Sequence, residues 1–239
     1  MTRIVCIIQA RMGSTRLPGK ISMDIAGKSM LARVVERTKQ FENIGQTVIA
    51  TSVSSSDDLT QQIAREIDVD CYRGSETDVL SRYYKAARMY KAEAVMRITA
   101  DCPLIDPSVS NKVTRGFVEK RPDYASNTIQ RTYPRGLDTA IITMDALTLA
   151  HKEGVDPLDR EHVNRFVWKQ PERFDILSIT NDEDFSRHRW TVDTSEDLDL
   201  VRKIYGELGD RQFGMREILD VLKQNPEWMK INAMVEQVS

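Results

Sequence analysis

Residues 4–20 read Ile4-Val5-Cys6-Ile7-Ile8-Gln9-Ala10-Arg11-Met12-Gly13-Ser14-Thr15-Arg16-Leu17-Pro18-Gly19-Lys20. A short apolar run, mostly β-branched, reads as a strand. The loop that follows it directly carries two glycines, two hydroxyls, two arginines and a lysine. Glycines let backbone N–H groups come close to a phosphate chain, and the cations offset its charge. Two familiar phosphate loops are excluded. No GxGxxG is present, and between Gly13 and Gly19-Lys20 the spacing is one residue too long for GxxxxGK[ST], with Ile21 after the lysine.

Working outward, short Val/Ile-rich runs alternate with longer amphipathic stretches. The pattern predicts strands at Ile4–Ile8, Thr47–Thr51, Ala94–Thr99, Ala140–Thr143, Ile176–Ile179 and Trp190–Asp193. It predicts helices at Ser29–Gln40, Asp57–Ile67, Asp78–Tyr90 and Pro107–Val118. Such alternation implies an α/β architecture with a mostly parallel central sheet. Ligands of such sheets sit beyond the carboxyl ends of the strands, so the residues just after each strand are the ones to inspect.

Two of those positions hold acids. Arg97-Ile98-Thr99-Ala100-Asp101-Cys102-Pro103-Leu104-Ile105-Asp106-Pro107 places Asp101 at a strand tip, with prolines stiffening the exit. Arg189-Trp190-Thr191-Val192-Asp193-Thr194-Ser195-Glu196-Asp197 repeats the arrangement at Asp193, with Thr194 or Ser195 placed to cap the next helix. Two carboxylates plus substrate phosphates are the usual ligands of Mg²⁺. Two acids and a cationic loop at three strand ends therefore form a metal and triphosphate site.

The 239 residues read as a single domain, 1–239. Two regions depart from the alternating pattern. One is a polar, turn-rich stretch, 122–139, within a substrate or dimerisation region near 122–165. The other is a helical tail, 214–239, broken at Asn225–Pro226 and expected to pack on the surface. Lys plus Arg (34) nearly balances Asp plus Glu (36), which argues against a general nucleic-acid binder. Three scattered cysteines without a CxxC pair make zinc and disulfide frameworks a poor fit and suit a reducing compartment. No leader-like or membrane-spanning apolar stretch is present, and a cytoplasmic location is expected.

The segments ARMGSTRLPGK, TADCPLID and RWTVDTSEDL resemble those of the sugar-acid cytidylyltransferases that make CMP-sialate, CMP-legionaminate and CMP-Kdo. RGSETDVLSRYY, SNTIQRTYPRGLD, DREHV and NPEWMKINAMVEQ bring the chain nearest to the spore coat polysaccharide branch. The resemblance implies a Rossmann-like, GT-A-like nucleotidyltransferase fold, a three-layer sandwich with a mostly parallel mixed sheet. It also implies CTP and a sugar-acid acceptor as substrates, Mg²⁺ dependence and a homodimer.

Residue roles follow from it one at a time. Arg11, Gly13, Ser14, Arg16 and Lys20 match the triphosphate loop, with Gln9 and Ala10 at its start and beside the nucleotide. Ser75 matches a cytosine contact, and Asp101 and Asp193 match the metal acids, so Lys20, Arg16, Asp101 and Asp193 form the catalytic set. Ala100 stands where the wider superfamily has Gly, which crowds the nucleotide slightly. Asn127, Arg131, Arg135 and Asp138 in the polar stretch, with Glu161 and His162 at a helix start, are candidates for the acceptor. Arginine suits its carboxylate because the planar fork matches both oxygens. Tyr83 and Tyr84 read as core, and nothing marks Cys102 as a nucleophile. Other acceptors, phosphorylated sugars or phosphonates, stay open, as does a non-catalytic nucleotide-binding subunit. A glycosyltransferase fits less well, since Asp101-Cys102-Pro103 lacks the second acid of a DxD pair.

Overall fold

The computed structural model describes residues 2–236. Strand β1 (Ile4–Gln9) is buried along Ile4–Ile8 on both of its faces. That is possible only when helices cover both sides of the sheet, and side-chain alternation shows how. Ile4, Cys6 and Ile8 pack with α1 (Met30–Thr38), α2 (Asp58–Glu66) and α4 (Pro107–Lys120). Val5 and Ile7 pack on the other face with α3 (Val79–Met89), α5 (Met144–Glu153) and the short α7 (Arg165–Trp168). The result is a three-layer α/β/α sandwich.

The other strands of the main sheet are β4 (Ile44–Ser52), β5 (Asp70–Gly74), β6 (Ala94–Thr99), β7 (Tyr124–Ser126), β8 (Ala140–Thr143) and β9 (Ile176–Ser178). A two-residue hairpin, β2 (Asp24–Ile25) with β3 (Lys28–Ser29), stands apart. The seven-stranded order is β5-β4-β1-β6-β8-β7-β9. Among the described residues only β8 runs antiparallel to its neighbours, and the other pairings in the sheet are parallel. A third apolar cluster lies beyond the sheet's carboxyl edge, where Leu104, Tyr133, Leu137, Trp190 and Val192 meet α8 (Ser195–Leu208) and α9 (Met215–Gln224). No described helix is long and apolar enough to cross a membrane.

Several local expectations change. Trp190–Asp193 is not a strand. It is an extended segment joined to the body by a bridge between Arg135 and Arg189, and by the Val192 amide donating to the Asp101 carbonyl at 2.8 Å. Its apolar residues point into the third cluster, so the alternating pattern is real but reports burial, not sheet pairing. The stretch 122–139 is not all loop, since β7 lies inside it and pairs with β8 and β9. The region near 122–165 is thus woven into the sheet. Glu161 ends the short helix α6 (Pro157–Glu161) and His162 caps it, rather than starting a helix. Tyr83 is fully buried, whereas Tyr84 sits at the core's edge, stacked on His151. The tail folds as α9 followed by a 3-10 turn, Pro226–Lys230, and residues 237–239 of it lie outside the described residues.

Gly136 is where the two halves of the carboxyl edge touch. Its φ is +101°, and a Cβ there would fall 2.6 Å from the Thr191 amide nitrogen and 2.6 Å from the Trp190 carbonyl carbon. Both neighbours are backbone and cannot rotate away. Gly136→Ala should therefore cost roughly 2–4 kcal/mol in urea unfolding. A loss within experimental error would mean that the 135–191 contact is not tight in solution.

Candidate active site

The loop after β1 is folded back on itself. The Ser14 amide and the Gly19 amide both donate to the Met12 carbonyl, at 2.9 and 3.0 Å, and the Leu17 amide donates to Ser14 Oγ at 3.4 Å. The Met12 amide donates to Asp57 Oδ1 at 2.6 Å, tying the loop to the end of β4. Gly19 takes the left-handed conformation, φ +72°, which turns the chain into a 3-10 turn at Lys20–Ser22 and throws Lys20 inward. Gly13, by contrast, has open space around it and no positive φ.

Lys20 is 7% exposed, and its ammonium is fully engaged. Nζ donates to Asp101 Oδ2 at 3.0 Å, Asp193 Oδ1 at 2.9 Å and the Val192 carbonyl at 2.7 Å. Burial alone would lower its pKa, but the fields of Asp101 and Asp193 outweigh that and hold it above the ordinary lysine value. Burial would likewise raise the Asp101 carboxyl, yet the Lys20 charge and the Thr99 hydroxyl hold it below the usual carboxylate range. Arg16 reaches Asp193 Oδ2 at 2.9 Å and Arg189 reaches the same oxygen at 2.8 Å. Arg189 is itself held by Asp197, which is 1% exposed and forms a capping box with Thr194 at the start of α8. Burial and the neighbouring Asp101 push the Cys102 thiol well up, so it stays protonated and is no nucleophile.

Asp101 and Asp193 converge closely enough to share one cation, as both contact the Lys20 ammonium. Among the described residues no group of three or more His, Cys, Asp or Glu could hold a metal ion. Two carboxylate oxygens, with substrate phosphates to complete the shell, are a set that fits Mg²⁺.

Two clefts meet at this point. One, of about 220 Å³, is lined by Gln9, Arg11, Ser14, Arg16, Lys20 and Asp101 among others. The second, of about 380 Å³, shares Gln9, Arg16, Asp101 and Asp193 and adds Arg97, Arg135, Asp138, Glu161 and His162. Most of the candidates from the sequence therefore share one place. Ala10 does not: it packs in the core, and its amide donates to the Ala50 carbonyl at 3.2 Å. Nor do Gly13 and Ser75 line either cleft; Ser75 Oγ accepts the Asp78 amide at 3.0 Å.

Asn127 is buried and braces its own loop, donating to the Leu137 carbonyl at 2.7 Å and accepting the Thr139 amide at 2.9 Å. Arg131 makes a two-pronged pair with Asp138 at 2.6 and 2.8 Å. Sequence reasoning missed Arg97, whose Nη2 donates to Gln9 Oε1 at 3.2 Å while its buried Nε has no partner among the described residues. It also missed Asp57, Arg189 and Asp197. The spacing of Thr194 and Asp197 carries the capping signal that could have found Asp197.

A mostly parallel sheet whose carboxyl edge carries a cationic loop and two converging acids is a place suited to a nucleoside triphosphate. The chain matches the cytidylyltransferase family over residues 5–225, and it belongs to that family. It is 30% identical over 239 residues to an uncharacterized protein of Methanocaldococcus jannaschii, covering 99% of this chain and 97% of that one. It is 28% identical over 235 residues to the spore coat polysaccharide biosynthesis protein SpsF of Bacillus subtilis, covering 95% and 97%. A cytidylyltransferase structure from Leptospira borgpetersenii serovar Hardjo-bovis superposes with a TM-score of 0.93 at 32% identity, covering all of both chains. The CMP:2-keto-3-deoxy-manno-octonic acid synthetase complexed with CTP shares the fold, with a TM-score of 0.68 at 18% identity over 87% of this chain and 100% of that one.

The ion cluster makes stability depend on pH in a stated direction. Asp101, held low, contributes stability that is present above its unfolded pKa and lost as pH falls through the folded value. Lys20, held high, contributes stability that is present below its unfolded pKa and lost as pH rises through the folded value. The window is therefore about pH 4 to pH 10.5. Lys20→Met removes the charge that holds the Asp101 carboxyl low. The stability gap between wild type and this variant should be widest near neutral pH and narrow below about pH 4. Thermal melts across that range check it; a gap that persists undiminished in acid would remove Lys20 from the pair.

Proposed function

We propose that this cytidylyltransferase transfers CMP from CTP to a sugar acid of the nonulosonate type, such as a legionaminate or sialate, and releases pyrophosphate. The product would serve surface polysaccharide or glycan synthesis. The observation that carries this reading is the pair of clefts joined at Asp101 and Asp193. One is edged by Arg11, Arg16, Lys20 and hydroxyls and suits a polyphosphate; the other is edged by Arg97 and Arg135 and suits an anionic acceptor. The likeness to SpsF over nearly the full length supports a polysaccharide role. The acid acceptor is supported by 36% identity, over about half of each chain, to the 3-deoxy-manno-octulosonate cytidylyltransferase of Trichlorobacter lovleyi.

In this reading an acceptor hydroxyl attacks the α-phosphorus while the bond to the pyrophosphate oxygen breaks. Arg11 and the Ser14 hydroxyl hold the polyphosphate. Arg16 stabilises the charge that develops on the departing pyrophosphate, and Lys20, whose donors are taken by Asp101, Asp193 and the Val192 carbonyl, adds the field of its charge in a preorganised site. Arg97 and Arg135 orient the acceptor carboxylate toward the reacting phosphorus. Mg²⁺, held by Asp101 and Asp193, would supply charge neutralisation on phosphate oxygens and a lowered pKa for the acceptor hydroxyl. A homodimer belongs to the same reading and is checked by sedimentation. A phosphorylated or phosphonate acceptor is the second reading, because the same guanidinium groups fit a phosphate. Pyrophosphate release with a panel of acceptors separates the two.

Asp101→Asn and Asp193→Asn should each lower turnover by about 10²-fold or more while the protein stays folded. Near-wild-type turnover at saturating Mg²⁺, with an unchanged melt, would take that acid out of the site. CTP should be used in clear preference to UTP and ATP. Cytosine and uracil differ at C4, an amine donor against a carbonyl acceptor, and a site that reads this edge leaves buried groups unmatched with the wrong base. Comparable rates with all three nucleotides in the pyrophosphate assay would contradict the proposal.

A further inference from the structure

The C-terminal tail does more than cover the surface. After α9 the chain runs through the 3-10 turn at Pro226–Lys230 and returns to the carboxyl edge of the sheet. There Asn232, 6% exposed, donates through Nδ2 to Asp197 Oδ1 at 2.8 Å and to the Arg189 carbonyl at 3.0 Å. One amide thus bridges the backbone of residue 189 and the side chain that holds the residue 189 guanidinium. That guanidinium is divided: Nε bonds Asp197 Oδ1 at 2.9 Å, and Nη2 bonds Asp197 Oδ2 at 3.0 Å and Asp193 Oδ2 at 2.8 Å. Asp197 Oδ2 also accepts the Asp193 amide at 2.9 Å, so it fixes both the main chain of Asp193 and the cation beside its carboxylate. Four residues further on, the Glu236 carbonyl accepts Arg16 Nη1 at 3.4 Å, which places the tail against the loop after β1 as well.

We propose that Asn232 is a positioning residue of the active site, the point at which the end of the chain is tied to the Asp193–Arg189–Asp197 network. It acts by dividing Arg189 between Asp197 and Asp193. With Asn232 in place, Asp197 is fully hydrogen-bonded and keeps its grip on Arg189. Without it, one oxygen of a buried carboxylate loses a donor and the residue 189 main chain loses its tie to the tail, so Asp197 and the guanidinium it holds can shift together. Asp193 then loses the fixed orientation that a shared cation between it and Asp101 requires. Groups that orient ligating carboxylates typically matter by about 10- to 100-fold in affinity or activity. This inference rests on the reading of Asp193 as a working acid.

The test compares Asn232→Ala, Asn232→Asp and Trp228→Ala with wild type and with Asp193→Asn. Trp228 lies in the same tail but packs on the third apolar cluster and under Lys203, away from the network, so it reports loosening of the tail alone. Three quantities are read: kcat and KM for CTP, the thermal midpoint, and Mn²⁺ binding followed by electron paramagnetic resonance in the presence of CTP. Asn232→Ala should lower kcat by about tenfold or more and weaken Mn²⁺ binding by a similar factor, with KM for CTP within about twofold. Asn232→Asp, which sets a carboxylate against the Asp197 carboxylate, should be worse than Ala at equal size. Trp228→Ala should lower the thermal midpoint with kcat within about twofold of wild type measured well below that midpoint.

Wild-type kcat and Mn²⁺ binding in Asn232→Ala would overturn the proposal, as would a loss matched by Trp228→Ala. If Asn232→Ala does not fold, Asn232→Ser, which keeps a short donor, takes its place; unchanged Mn²⁺ binding and an unchanged kcat in Asn232→Asp then overturn it. Full activity in Asp193→Asn would instead sink the reading of the site on which this inference stands.

Discussion

A single buried ammonium organises this molecule. Lys20 Nζ is bound to two carboxylates and a carbonyl that lie 81, 173 and 172 residues away in the chain. An unpaired charge in such a position costs several kcal/mol, and an acid left alone there costs as much. Each of the three segments is therefore stabilised in place by the other two. β6 delivers Asp101 as the direct neighbour of β1 in the sheet. Asp193 has no strand to deliver it. It is brought by the extended run after Arg189, fastened to Arg135 and to the Asp101 carbonyl. Gly136 permits that fastening, because any side chain at its position would collide with the backbone of residues 190 and 191.

The charges around this point are arranged by sign. The smaller cleft is lined by Arg11, Arg16 and Lys20 against Asp101 and Asp193, so cations prevail where a polyphosphate would lie. The larger cleft is lined by Arg16, Arg97 and Arg135 against Asp101, Asp138, Glu161 and Asp193, so its cations are discrete spots within an acidic wall. A chain with a net charge of −2 thus gathers an excess of cations at the smaller cleft. Burial first, and then the negative field of Asp101 and Asp138, push the Cys102 thiol well up.

The charged groups of the site are buried in interlocking pairs. Asp197 and Lys20 are nearly inaccessible, and each polar atom around them has partners supplied by more than one element. Charge-assisted bonds in a poorly hydrated setting are short and directional, so the carboxylates keep their orientation without substrate. The third apolar cluster is the mechanical backing. Trp190 and Val192 lie within it, flanking Thr191 and directly preceding the acid they position, while Leu198 and Leu200 anchor the start of α8 behind it.

The amino-acid order by itself determined the architecture and pointed to most of the residues that the fold gathers at the candidate site. Val/Ile runs alternating with amphipathic stretches could only make a largely parallel sheet covered on both faces, and the cationic loop, Asp101 and Asp193 stood out because they follow apolar runs. Lys20 and Arg16 were legible for the same reason, since glycines and hydroxyls around them have no apolar face to bury. Other features could be decided only by the tertiary structure. Trp190–Asp193 alternates like a strand, but alternation records which side chains are buried and not what buries them; here it is a helix pair, not a neighbouring strand. β7 is three residues long and hides in a polar stretch, because its pairing comes from β8 and β9 and not from its own composition. Ala10 and Asn127 lie in promising motifs yet serve the scaffold, since their partners are distant backbone groups. Arg97, Arg189 and Asn232 were invisible as site residues because each looks ordinary in its own segment. Their importance lies in what faces them across the fold, and a buried charge reveals its partners only when the chain has brought them together.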